Sequence, residues 1–192
     1  MKKLTRQDLF SLEQYAERRP QIRTEVMAHK KPRHIALGEH VRLLFEDRLT
    51  IQYQIQEMLR AERIFEAAGI QEELDAYNPL IPDGDNLKAT MLLEYEDVEQ
   101  RRVALEKLIG IEDKVYVRVG EQAVYAIADE DLDRENDTKT ASVHFLRFQL
   151  GRALVDQLRA GKSLAVGVDH AQYRAEVVLD DIQRRALQAD FD

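Results

Sequence analysis

The amino-acid sequence predicts an α+β fold: an antiparallel or mixed sheet of hairpins, helices packed mainly on one face, and a helical N-terminal segment. The hairpins are predicted because Gly38-Glu39 and Gly120-Glu121 each separate two short runs rich in β-branched and apolar residues. Strand-like runs come as neighbours, with helical stretches inserted between groups of them. This order favours α+β over a doubly wound parallel sheet.

We expect the 192 residues to form a single α+β domain, because no change in composition marks a boundary. The ends are predicted as a basic helical N-terminal segment, 1–33, and a helical tail, 180–192. The N-terminal segment holds nine Lys or Arg and four Asp or Glu, whereas the rest of the chain holds 19 and 32. This asymmetry leaves two interpretations open: an anionic partner, or packing against the chain's own acidic surface.

Helical periodicity predicts helices at about 5–18 and 20–30. A break is expected at Arg19-Pro20, because proline disfavours the helical conformation in the residue before it. The longest predicted helix runs from about Arg48 to Ala68, with Gly69 as its C-terminal stop. Apolar residues recur along it at core spacing: Ile51, Ile55, Met58, Leu59 and Phe65.

The sequence contains no cysteine, which excludes disulfides, thiolate nucleophiles and Cys-ligated zinc or iron–sulfur centres. The absence is typical of a reducing compartment, and the basic beginning lacks the apolar stretch of a secretory signal, so we expect a cytoplasmic protein. No run approaches the roughly 20 apolar residues that a membrane span requires, so no membrane association is expected. The net charge of -8 argues against nucleic-acid binding.

Metal sites and cofactors are not predicted. The acidic run at 129–137 begins like a calcium-binding loop, but Arg134 stands where glycine is required and Thr140 where glutamate is required. We therefore expect a solvated loop there. His144 is expected to be a core histidine bonded to backbone, and His170 lies in a predicted turn. Metal-ligand spacing is not found among the five histidines: His29, His34, His40, His144 and His170.

A stripe of arginine and glutamine follows the long predicted helix, on the side away from its apolar residues, with Glu57 at its border. Guanidinium groups suit carboxylate or phosphate ligands, and glutamine both donates and accepts hydrogen bonds. The stripe therefore predicts a polar binding surface, with a solvated helix face as the alternative. Its members follow one another at i+4: Arg48, Gln52, Gln56 and Arg60.

Three blocks of the chain resemble a known family. The blocks are Phe45-Glu46-Asp47-Arg48 with the stretch 53–62, then Tyr77-Asn78-Pro79-Leu80-Ile81-Pro82 with 87–90 and Glu94, then Asp169-His170-x-x-Tyr173. On these residues the chain resembles the bacterial domain-of-unknown-function family 3501. The resemblance implies small cytoplasmic proteins without an established activity, encoded near rubrerythrin-like and iron–sulfur redox genes.

That neighbourhood implies, by association, an accessory role in redox or oxidative-stress metabolism. The chain has neither cysteine nor a ferritin-like Glu-x-x-His pair, so it would not carry those cofactors itself. The stripe and the three blocks together name the candidate binding residues, which would line one polar pocket if they meet in space: Arg48, Gln52, Gln56, Glu57, Arg60, Asn78, Glu94 and His170.

Two functions of different classes follow from these residues. The first is a non-catalytic binding or accessory protein that holds a small anionic ligand or a protein partner in an Arg/Gln-lined pocket. A homodimer is an open alternative for the partner. The second is a metal-dependent enzyme, which requires a set of His and carboxylate ligands to converge: His34, His40, His144, His170 and Glu94.

Overall fold

The computed structural model describes residues 1–128 and 139–191, and the acidic loop predicted at 129–137 lies outside the described residues. The described part has the predicted α+β fold with a helical N-terminal region. Its helices are α1 (Leu12–Lys30), α2 (Arg48–Glu62), α3 (Ala67–Tyr77), α4 (Val98–Lys107), α5 (Gly151–Arg159) and α6 (Asp181–Gln188). Its strands are β1 (His34–Leu37), β2 (Val41–Glu46), β3 (Asn86–Leu93), β4 (Val115–Val119), β5 (Gln122–Tyr125), β6 (Ile127–Ala128), β7 (Val143–Gln149), β8 (Leu164–His170) and β9 (Tyr173–Val178).

The described strands form two antiparallel sheets. The first has the order β1-β2-β3-β7-β6 and the second the order β5-β4-β8-β9. Both predicted hairpins are confirmed, as β1–β2 and β4–β5. Gly38 and Gly120 have φ angles of 68° and 58°, a left-handed conformation that glycine adopts without the clash a Cβ would cause.

The main apolar core lies between the two sheets. In β4, Val115 and Val117 are fully buried because side chains alternate between the faces of a strand. On one side of the core the chain passes from β5 to β6 at the buried Ala126. On the other side β9 meets β1, where the Tyr173 hydroxyl donates to the carbonyl of Leu37 at 2.6 Å. The two sheets therefore cover the two faces of the core, and the β5–β6 passage and the β9–β1 contact close two of its sides.

Helix α1 is continuous through Pro20, so the break predicted at Arg19-Pro20 is wrong. The physical reason is its contact with α2 along a narrow seam, with the alternating three- and four-residue spacing of a coiled coil. Pro20 is exposed and lies outside the seam, so packing along the seam offsets its missing hydrogen bond. The seam residues are buried or half-buried: Leu12, Tyr15, Arg19, Ile22, Val26 and His29.

Helix α2 ends at Glu62, earlier than the sequence predicts. Arg63 closes it in a left-handed conformation with φ of 58°, a role more often taken by glycine. Gly69, predicted as the stop, lies inside α3, where a Cβ would come within 2.7 Å of Cγ2 of Ile64. Phe65, predicted in the core, is 74% exposed between α2 and α3. Gly69 therefore permits close packing instead of ending a helix.

A second, smaller apolar cluster lies beneath the N-terminal helices. Its buried members are Leu4, Ile51, Ile55, Leu59, Leu74 and Ile81.

The predicted helical tail is α6, and Asp190 and Phe191 beyond it are buried. Within residues 1–128 and 139–191, no helix combines the length and the apolar character needed to cross a membrane.

Candidate functional site

The Arg/Gln stripe of α2 lies against the chain's own N-terminus. We call residues 2–10 the strap; it contains one 3-10 turn, Arg6–Asp8, capped by Thr5. The helix predicted from residue 5 therefore starts only at Leu12, after the strap. Three side chains of the stripe bond to the strap: Arg48, Gln52 and Gln56.

Three side-chain amides bind the main chain of the strap, and two of them hold both backbone groups of one residue. Asn78, just after α3, accepts from the N–H of Leu4 at 2.8 Å and donates to the carbonyl of the same residue at 2.9 Å. Gln56 makes the same pair with Phe10, at 2.6 Å from the N–H and 3.3 Å from the carbonyl. An amide side chain carries both a donor and an acceptor. Each pair therefore satisfies both backbone groups of one strap residue.

Charged contacts fix the register of the strap. The Arg48 guanidinium donates to the Asp8 carboxylate at 2.5 Å, and the Lys3 ammonium lies 2.9 Å from the Asp83 carboxylate. Hydrogen bonds from Thr5, and then from Arg48, hold the pKa of Asp8 below its usual value. Lys3 of the basic N-terminal segment thus pairs with a carboxylate of the chain itself, which supports one of the two interpretations left open by the charge asymmetry.

Leu4 is the strap residue that enters the interior. It is 3% exposed and packs in the second cluster with Ile51, Leu74 and Ile81. A side-chain pocket therefore lies next to the polar groups that bind the main chain. We call this surface the strap groove; it consists of the Leu4 pocket and the side chains of Arg48, Gln52, Gln56 and Asn78.

Glu57, at the border of the stripe, joins α1 to α2. It accepts hydrogen bonds from the Arg19 guanidinium at 2.7 and 2.8 Å and from the Tyr15 hydroxyl at 2.6 Å. The bonds from Arg19 lower the pKa of Glu57 to about 2, although partial burial acts in the opposite direction. Glu57 thus docks α1 on the helix that carries the stripe, while Arg60 is exposed one turn beyond Gln56.

Glu94 and His170 lie apart from the strap groove. Glu94 donates its backbone N–H to the carbonyl of His40, which lies just before β2. Helix α2 begins just after the other end of the same strand. The six residues of β2 separate these ends by roughly 20 Å. His170 ends β8, where Nε2 donates to the carbonyl of Ile109 at 3.1 Å. The structure therefore brings four of the eight candidate residues into the groove and one, Glu57, to its border.

The histidines do not converge on one site. His144 is buried and bonded to the carbonyl of Ala141 at 3.0 Å, as the sequence predicts for a core histidine, while His29 lies 2.5 Å from Asp47. In residues 1–128 and 139–191, no group of three or more His, Cys, Asp or Glu side chains could hold a metal ion. The described residues thus give no support to the ligand set of a metal-dependent enzyme.

A buried charge cluster that sequence reasoning missed anchors the C-terminal tail. Arg33 and Asp190 are each 1% exposed and in contact, with Asp47 3.4 Å from the same guanidinium. Burial raises the pKa of Asp190 to about 7, although Arg33 acts in the opposite direction. Burial also opposes ionisation of Asp47, but Arg33, Thr50 and His29 together lower its pKa. No local signal marks the cluster, since Arg33 and Asp190 are 157 positions apart.

Comparison with known proteins identifies the family. A family model described as a protein of unknown function, DUF3501, matches residues 3–191. The chain belongs to this family. A crystal structure of a novel protein of unknown function from Burkholderia pseudomallei K96243 is similar over 100% of both chains, with a TM-score of 0.94 and 53% identity. None of the curated proteins matches this chain. The three sequence blocks thus predicted the family correctly.

Proposed function

We propose that this DUF3501 member is a non-catalytic binding or accessory protein whose strap groove binds a short peptide segment of a partner protein. The observation that carries the proposal is the pair of amide contacts, from Asn78 to Leu4 and from Gln56 to Phe10. These contacts engage the main chain, which every peptide offers. The groove can therefore accept a segment other than the strap, which occupies it as a tethered stand-in.

Side-chain contacts define which segments fit. The groove offers an apolar pocket to Leu4 and the Arg48 guanidinium to Asp8, four positions further along the strap. At the edge of the groove, the Asp83 carboxylate pairs with Lys3, the strap residue before Leu4. A fitting partner segment therefore has a basic residue followed directly by an apolar residue, and an acidic residue four positions after the apolar one. The anionic ligand expected for the stripe is, in this proposal, the peptide's own carboxylate.

The position of the strap favours exchange. Leu4 is its one buried residue, and α1 begins after its own cap at Ser11, so the strap can leave without unwinding α1. A tethered segment competes at an effective concentration on the order of millimolar. A partner must therefore bind more tightly than the strap or reach a high local concentration.

The redox association implied by the family resemblance becomes, in this proposal, a property of the partner. The chain itself has no cysteine, so an iron–sulfur centre would belong to the protein that supplies the segment. Both proteins would then share the reducing cytoplasm that the cysteine-free composition favours.

The proposal is tested with a synthetic peptide of residues 1–11 and a variant that lacks residues 2–10. We expect saturable binding, because removal of the strap opens the groove, and binding at least about tenfold weaker after Gln56→Ala, which removes two hydrogen bonds. Gln54→Ala, on the same helix, is the matched control, since Gln54 makes no hydrogen bond to the strap in the described structure.

A cooperative thermal transition checks that the truncated variant is folded; otherwise the full-length Leu4→Ser variant replaces it. The proposal is contradicted if a folded variant shows no saturable binding by fluorescence anisotropy. Equal losses from Gln56→Ala and Gln54→Ala would contradict it as well, because main-chain contacts would then contribute nothing to the affinity.

A further inference from the structure

Two adjoining cavities, both open to solvent, lie along α4. One, of about 700 Å³, borders β2, β3 and the start of β7, and the other, of about 580 Å³, borders the turn into β9. Tyr95 and Gln100 line both cavities, so the two lie side by side. We propose that together they bind an α-amino acid with a large apolar side chain, at a site separate from the strap groove.

Unpaired charges of both signs line the larger cavity. Arg101 and Glu96 both border it, and neither side chain has an ion pair or hydrogen bond within the described residues. Arg42 and Glu94 also line it and lie 3.6 Å from each other. A ligand with a single charge would meet a like charge here. A zwitterion places its carboxylate beside Arg101 and its ammonium beside Glu96.

His40 gives the larger cavity a fixed polar wall. Its backbone N–H donates to the Tyr173 hydroxyl at 3.1 Å, and its ring stacks on Tyr95 with 4.0 Å between centroids. Nδ1 lies 3.0 Å from the backbone carbonyl of Glu94. A carbonyl only accepts, so the contact assigns a proton to Nδ1, and in the neutral imidazole Nε2 then carries a lone pair. That nitrogen is a second acceptor for the ligand's ammonium group.

The smaller cavity suits the side chain of the ligand. Half of its lining is apolar: Val103, Ala104 and Leu108 on or just after α4, and the rings of Tyr95 and Tyr173. The other half is polar and stands at the rim in this proposal. A side chain that leaves the charged cavity past Tyr95 enters this apolar space. Leucine or phenylalanine would bury apolar surface there, whereas glycine would bury none. The two cavities therefore select for charge at one end and apolar volume at the other.

Isothermal titration of the full-length protein tests the ligand class. Phenylalanine and leucine are expected to bind, glycine to bind at least about tenfold more weakly, and N-acetylphenylalanine and phenylalaninamide, which each lack one charge, likewise. The proposal is overturned if no protein amino acid gives a binding isotherm. It is also overturned if either singly charged analogue binds as tightly as phenylalanine.

A pair of neighbouring arginine variants tests the site. Arg101→Gln is expected to weaken phenylalanine binding at least about tenfold. Arg102→Gln is the matched control, because Arg102 lies on the same helix but pairs with Glu99 at 3.1 Å and Glu106 at 2.8 Å. Equal affinities of the two variants would place the ligand elsewhere and overturn the assignment. Binding of the peptide of residues 1–11, measured after removal of residues 2–10, should be unchanged by either substitution, which separates this proposal from that of the strap groove.

Discussion

Replacing Arg33 with methionine is expected to lower the free energy of unfolding by about 3–5 kcal/mol, because one partner of a buried ion pair is removed. Arg33 donates to the carbonyls of Phe45 at 3.0 Å and Ala186 at 2.9 Å in addition to Asp190. The variant leaves a buried carboxylate and these carbonyls without their donor. Arg23→Met, at an exposed position of α1, is the control, with an expected change within about 0.5 kcal/mol.

The loss should depend on pH through Asp190. Its pKa is raised from 3.8 to about 7, so the folded chain binds this proton more tightly, and the group's contribution to stability falls as pH rises between these values. Removing Arg33 takes away the charge that favours the carboxylate. Denaturant unfolding should therefore show a larger loss at about pH 8 than at about pH 5. Equal losses at both, or a loss no larger than that of Arg23→Met, would contradict the ion pair.

The variant Leu4→Ser is expected to lose about 2–4 kcal/mol of strap docking, because it removes buried apolar contact and places a hydroxyl in the pocket. Leu4 is 3% exposed, whereas Gln7 in the same segment is exposed to solvent. Gln7→Ser is therefore the matched control. Because α1 begins after its own cap at Ser11, the loss should release the strap first and leave the helices in place.

Amide hydrogen exchange separates release of the strap from global unfolding. The N–H of Phe10, which bonds to Gln56, should lose protection in Leu4→Ser. The N–H of Tyr15, which bonds to the Ser11 carbonyl in α1, should keep it. Loss of protection at both sites would mean that the strap and α1 unfold together, and no loss at Phe10 would mean that Leu4 does not anchor the strap.

Elements set by local chemistry could be predicted from the sequence. The hairpins at Gly38 and Gly120 follow from the freedom of glycine at positive φ. Elements in which packing opposes a local preference could not. Pro20 weakens a helix locally, yet the seam with α2 keeps α1 continuous. Gly69 reads locally as a helix stop, yet the structure uses it for close contact with Ile64.

The side chains that bind the strap were predictable from the sequence in part, but the strap itself was not. Arginine and glutamine at i+4 on a polar helix face pointed to Arg48, Gln52 and Gln56. The strap residues that they bind lie 40 or more positions away, and no periodicity encodes such a pairing. Asn78 entered only through the family resemblance, and its contact with Leu4 spans 74 positions.

Exchange of the strap in the intact chain is measured most directly by the distance between spin labels on Gln7→Cys and Gln71→Cys. Both positions are exposed, and the chain has no cysteine of its own to compete for the label. With the peptide of residues 1–11 in excess, we expect a second, longer distance whose population grows with peptide concentration. A single short distance that persists when the free peptide exceeds the effective concentration of the tethered strap, on the order of millimolar, would contradict the proposal that the strap groove exchanges its segment for that of a partner.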